Sequence, residues 1–184
     1  MMLIENMFSV KDRIVLVTGC GGVATANARC FAKNGATVVM ASRRMEKVAE
    51  VQKLLTDEGL TIDGIQMDIN CHEDIIEKVA QVAAKYGRID VLIHTAATCH
   101  VENTLTFRED EIRKTFETNL LGTIFLNQEV GKIMVNHGFG RIINYNSIDA
   151  FSVNANDAMA YAVSKSGVQQ ATRFFAVEMA PKGV

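Results

Sequence analysis

The chain has 184 residues, 48% of them hydrophobic and 22% charged, and 19 lysines and arginines against 21 aspartates and glutamates leave a net charge of −2. This is apolar content for one buried core in one domain, and it excludes a disordered polyelectrolyte. The lack of a basic excess argues against a nucleic-acid partner, and no apolar run approaches the roughly 18 residues that a membrane span needs. The N-terminal MMLIENMFSV carries an acid at Glu5 and no basic start, unlike a secretory leader, so the expected compartment is the cytoplasm. Cys20, Cys30, Cys71 and Cys99 form no CxxC pair, which fits free thiols. Cys71-His72 and Cys99-His100 match no common zinc spacing, so no metal is expected.

Residues 13–18 form a short β-branched run ending in glycines, the pattern of a strand buried on both faces. A helix is expected over 26–34, closed by Gly35, then a strand over 37–41. Val48, Val51, Leu54 and Leu55 place an apolar stripe on a helix over 46–55. A weaker strand follows over 62–67, a helix over 73–86 ended by Gly87, and a strand over 90–93. Thr106-Phe107-Arg108-Glu109 fits a capping box opening a long helix that runs to about residue 136. The last elements are a strand over 141–144 and a helix over 158–179, closed by Pro181 and Gly183. Alternation of this kind predicts an α/β fold, a doubly wound parallel sheet of the Rossmann type.

Gly19, Gly21 and Ala24, after the first strand, fit GxGxxA. One glycine makes the tight turn, a second lets backbone approach a pyrophosphate, and a small third residue lets helix and strand pack. With Gly22 and Val23 this turn is the candidate diphosphate seat, at a helix N-terminus whose free N–H groups favour anions. After the second strand comes Ala41-Ser42-Arg43-Arg44, with no acid before Glu46. Ser42, Arg43 and Arg44 suit a 2′-phosphate and favour NADP, with NAD as the alternative.

Tyr161 and Lys165 stand four apart on one face of the last long helix. An ammonium close to a phenol favours the phenolate and suits the pair to proton transfer. Ser147 ends the fifth strand, at the edge where this architecture places ligands. His100, on the loop after the fourth strand, is either a substrate contact or a solvated loop residue. Phe174 and Phe175 are expected in the core or at a subunit contact.

From Val10 to Val184 the chain resembles the short-chain dehydrogenase/reductase family, most specifically in AYAVSKSGVQQATRFFAVEMAPKGV, the segment of its active-site helix. Asp68-Ile69 resembles the family's adenine-contacting pair, and His94-Thr95-Ala96-Ala97 stands where its NNAG motif does. Asn119 and Ser147 match the asparagine and serine of its catalytic tetrad. The resemblance implies that Tyr161 is the general acid/base and that Lys165 tunes it and holds the nicotinamide ribose. It implies that Ser147 holds the substrate oxygen and that Asn119 interrupts its helix and holds a relay water. Thr95, Ala96 and Ala97 would line the cofactor. A small-molecule carbonyl or alcohol substrate follows, and so does a homo-oligomer built through the two long helices.

The chain departs from the family pattern in a glycine loop one residue shorter, in Ala24 and Ala97 at glycine positions, and in its ending where a sixth strand would begin. It therefore reads as a single dinucleotide-binding domain, 1–184, with the last strands missing and the fifth strand at an edge. The leading function is NADP-dependent carbonyl reduction or the reverse alcohol oxidation. The alternative is a non-catalytic, truncated dinucleotide-binding module or subunit.

Overall fold

A computed structural model describes residues 8–153 and 157–184. The first seven residues, on which most of the leader expectation rests, lie outside the described residues. Strands β1 (Ile14–Thr18), β2 (Thr37–Ser42), β3 (Asp63–Gln66), β4 (Val91–His94) and β5 (Arg141–Asn144) form one parallel sheet in the order β3-β2-β1-β4-β5. The helices are α1 (Gly22–Lys33), α2 (Met45–Asp57), α3 (His72–Tyr86), α4 (Glu109–Phe116), α5 (Gly122–His137) and α6 (Met159–Met179). The expected α/β alternation and parallel sheet are present.

β1 is central and entirely buried, with Leu16 beside both Val39 and Leu92. Side chains alternate across a strand, so β1 feeds two cores. Val15 and Val17 pack with Ala24 and Ala28 of α1 and Val48 and Leu55 of α2. Leu16 packs with Ile75 and Val79 of α3 and Leu126 and Val130 of α5. β5 has β4 as its only neighbour among the described strands, and Ile143 is 46% exposed there. No helix among the described residues is long and apolar enough to cross a membrane.

Two expectations for the middle of the chain need correction. The capping box does not form. Thr106 is drawn into a turn of its own, its N–H donating to the Asn103 carbonyl at 3.0 Å and its hydroxyl pointing to the same oxygen at 3.4 Å. Glu109 is then the first residue of α4, too early to reach back, and it pairs with Arg113 at 2.7 Å. The long helix read from periodicity is also interrupted, at Asn119, where the family resemblance implied a break. A π-turn, Glu117–Leu121, separates α4 from α5 and leaves Thr118 and Asn119 buried.

On α6 the expectation of a core position fails for Phe174, which is 68% exposed, while Phe175 is half-buried.

Candidate active site

The C-terminal ends of the strands enclose a cleft of about 500 Å³, the place where open α/β sheets hold ligands. The glycine turn forms its floor. Gly19 has φ +95°, and a Cβ there would come within 2.8 Å of Thr95 Oγ1, so both conformation and space require glycine. A Cβ on Gly21 or Gly22 would meet nothing within 4 Å, so this backbone faces open space. Gly21 is the N-cap of α1, whose first turn holds no acid. Free N–H groups and an uncancelled dipole end therefore face the cleft, and Val23 lines it beside them. Ala24 also lines the cleft, and it is fully buried where helix packs on sheet.

Ser42, Arg43 and Arg44 line one end of the cleft. Both arginines are exposed, and neither pairs with a carboxylate among the described residues. Ile69 lines the cleft as well, whereas Asp68 does not. The Asp68 carboxylate accepts from Asn70 N at 3.0 Å, and its own N–H donates to Asp74 Oδ2 at 2.6 Å, which commits the residue to its own turn.

Thr95, Ala96 and Ala97 line the cleft from β4, and Thr95 Oγ1 donates to Thr18 O at 2.7 Å. His94 lies beneath them, 3% exposed. Its neighbours settle its tautomer. Thr123 Oγ1 donates to Asn119 O at 2.6 Å, so the Thr123 oxygen accepts from His94 Nε2 at 3.0 Å. Nδ1 is then the acceptor for the Thr18 hydroxyl at 2.6 Å. Burial pushes the imidazole down to about 3, with the Lys165 charge adding to the shift, so the ring is neutral.

Tyr161 and Lys165 bring α6 into the same cleft. Lys165 Nζ lies 5.8 Å from the centre of the Tyr161 ring, within cation–π range. Lys165 is 5% exposed, and burial lowers its pKa below the ordinary lysine value. Its ammonium donates to the Tyr145 carbonyl at 2.7 Å.

Asn119 and Ser147 stand outside the cleft wall. The buried Asn119 side chain binds the Thr98 backbone and donates to Ser164 Oγ at 3.0 Å, and Ser164 donates to the Tyr161 carbonyl at 2.7 Å. Ser147 caps a short 3₁₀ turn, Ile148–Ala150. Its hydroxyl accepts from Asp149 N at 3.2 Å and donates to Asp149 Oδ2 at 3.3 Å. His100 also lies off the cleft, 3.2 Å from Glu102 and 3.8 Å from Glu111, with its ring edge-on to Phe107.

Sequence reasoning passed over Cys20, Tyr145 and Asn146, which also line the cleft. Cys20 sits inside the glycine turn, where burial raises its thiol and a hydrogen bond to Ser42 opposes that shift. Tyr145 and Asn146 directly precede Ser147, and that position was the available signal.

The family model for short chain dehydrogenases matches residues 13–184. The chain belongs to this family. As a short-chain dehydrogenase it is an NAD(P)-dependent oxidoreductase. It is 31% identical over 176 residues to an uncharacterized oxidoreductase of Bacillus subtilis, covering 95% of this chain and 68% of the relative. It is 30% identical over 181 residues to the NAD-dependent glycerol dehydrogenase of Listeria innocua, covering 98% and 70%. A variant of actinorhodin polyketide ketoreductase, solved with NADPH, superposes with TM-score 0.87 at 30% identity, covering 94% of this chain and 67% of that one.

Proposed function

We propose that this short-chain dehydrogenase interconverts a carbonyl and a secondary alcohol using NADP(H), with Tyr161 as general acid and base. The observation that carries this reading is that Tyr161 and Lys165, one helical turn apart, share a cleft with the glycine turn. The open backbone at Gly21 and Gly22 fits a diphosphate, and Thr95, Ala96 and Ala97 form the adjoining wall. The nicotinamide dinucleotide supplies or accepts the hydride when bound.

The chain's own residues supply position and charge. In reduction, Tyr161 donates its phenolic proton to the carbonyl oxygen, and in oxidation it takes the alcohol proton. The Lys165 ammonium stabilises the negative charge left on the phenol oxygen and has further donors for a ribose. Ser147 turns its hydroxyl from Asp149 to the substrate oxygen. Asn119 holds the Thr98 loop and, through Ser164, the backbone of Tyr161.

Ser42, Arg43 and Arg44 support NADP, because two guanidinium groups at the cleft end suit a phosphate and no carboxylate among the described residues pairs with them. Relatives point both ways: the Listeria innocua enzyme is NAD-dependent, and the ketoreductase was solved with NADPH. The substrate is a small carbonyl or alcohol. The exposed apolar residues Phe174 and Val177 of α6 support assembly into a homo-oligomer through α5 and α6. Four free cysteines fit a cytoplasmic location. The alternative of a non-catalytic binding module draws on Ser147, whose hydroxyl is engaged outside the cleft wall.

Tyr161→Phe separates the two readings. Turnover with NADPH and a panel of ketones should fall by about 10²- to 10⁴-fold, while NADPH binding followed by its fluorescence stays nearly intact. Equal turnover in the variant would remove the acid/base assignment.

A further inference from the structure

One residue of the cleft touches both helices that frame it. The Tyr145 N–H donates to His94 O at 3.0 Å and continues the ladder between β5 and β4. The Tyr145 carbonyl accepts from Lys165 Nζ at 2.7 Å. The Tyr145 phenol oxygen accepts from Asn27 Nδ2 at 2.8 Å, in the second turn of α1. Asn27 is itself anchored, because the same amide nitrogen also donates to Val23 O at 2.8 Å. The backbone of Tyr145 thus holds the lysine, and its side chain reaches the helix that begins at the glycine turn.

This matters because, among the described strands, β5 pairs with β4 alone. Four paired residues on the β4 side fix its register, and no strand steadies its other side among the described residues. Tyr145 follows the last paired residue, Asn144, and its backbone is held there by one bond, from its N–H to His94 O, while its carbonyl carries Lys165. Tyr145 is 37% exposed, so packing alone does not fix its ring. The Asn27 contact adds a second tie, made by the side chain.

We infer that Tyr145 is a positioning residue for the dinucleotide, a strut between Asn27 of α1 and Lys165 of α6 that sets the nicotinamide end of the cleft. The inference rests on the dinucleotide reading proposed above. The strut acts at one end only, because Ser42, Arg43 and Arg44, at the far end, take no part in it. Removing the phenol hydroxyl should therefore weaken a ligand that reaches Lys165 and spare one that stops at the arginines.

The test uses the full chain and two probes, NADPH and adenosine 2′,5′-bisphosphate, titrated by calorimetry. Tyr145→Phe keeps the ring and the backbone, and melting curves verify that the variant is folded. Loss of one hydrogen bond of ordinary strength predicts roughly 3- to 10-fold weaker NADPH binding, with the bisphosphate unchanged. Asn27→Ala should weaken NADPH binding in the wild-type background and add little in the Tyr145→Phe background, because the two groups act as one unit. A general loosening of α1 would weaken both probes alike, and that result overturns the inference. Wild-type affinity for NADPH in Tyr145→Phe, or additive effects of the two substitutions, overturns it as well. If the wild-type chain binds neither NADPH nor NADH, the dinucleotide reading itself fails and takes this inference with it.

Discussion

Asn119 and Thr98 are joined by a two-way hydrogen bond: Asn119 Oδ1 accepts from Thr98 N and Asn119 Nδ2 donates to Thr98 O, both at 2.8 Å. A side-chain amide imitates a strand neighbour here, and it does so from the π-turn between α4 and α5. The widened turn frees Asn119 from regular helix geometry, and Gly122 lets the same turn approach Ile69, whose carbonyl would lie 2.8 Å from a Cβ. Asn119→Ala would leave two backbone groups of Thr98 without this partner. Thr98 is half-buried, so the cost should be about 1 to 3 kcal/mol of stability, measured by urea unfolding. A loss under about 0.5 kcal/mol, the range of ordinary surface substitutions, would show that the loop holds itself.

The neutral His94 ties stability to pH. Its folded pKa of about 3 lies below the ordinary value of 6.5, so below pH 6.5 the unfolded chain binds a proton that the folded chain refuses. The stabilisation is complete above pH 6.5 and is lost as the pH falls toward 3, at up to about 1.4 kcal/mol per pH unit. His94→Asn keeps a donor and an acceptor between Thr18 and Thr123 and removes the titration. Urea midpoints between pH 7 and pH 4.5 should decline less steeply in this variant than in the wild type. Parallel declines would show that His94 does not govern the slope.

At the opposite end of the strands, Asp90 Oδ2 accepts from Ile14 N at 2.8 Å and Arg88 Nε at 2.9 Å, and Oδ1 accepts from Arg13 Nη1 at 3.2 Å. The carboxylate is buried, but the side chains of Arg13 and Arg88 are 35% and 44% exposed and can return to water. The lasting loss in Asp90→Ala is therefore the partner of the buried Ile14 amide, worth about 1 to 3 kcal/mol. Arg13→Ala should cost under about 1 kcal/mol, as for other exposed pairs. Thermal and urea unfolding of the two variants should keep this order.

Arg43 and Arg44 offer the sharpest check on cofactor choice. Replacing both with alanine removes two charged donors from the cleft end, and charge-assisted bonds of that kind carry about 10- to 100-fold in affinity. NADPH should bind weaker by that factor and NADH about as before. Equal losses for the two would place the arginines in general dinucleotide binding rather than 2′-phosphate recognition.

Much of this was legible in the chain itself. The buried runs at 14–18, 37–42 and 91–94 are β-branched and short, and glycines or polar residues bound them, so the strand order in sequence followed directly. The left-handed Gly87 that ends α3 follows from local chemistry as well. The break at Asn119 came from resemblance, because nothing in ETNLL lowers helix propensity enough to signal it. The capping box misled because Thr106 had a nearer partner in Asn103, and a motif carries no information about competing turns.

Local sequence determined which segments become strands and helices, that a glycine turn follows the first strand, and that Tyr161 and Lys165 share a helix face. All of these depend on covalent spacing and backbone sterics within a few residues. Only the tertiary structure decided that Tyr145 reaches Asn27, 118 residues away, that His94 is neutral, and that Asn119 ties the Thr98 loop to Ser164. Those outcomes depend on which groups burial brings together and which hydrogen-bond partners remain there, and spacing along the chain does not encode that competition.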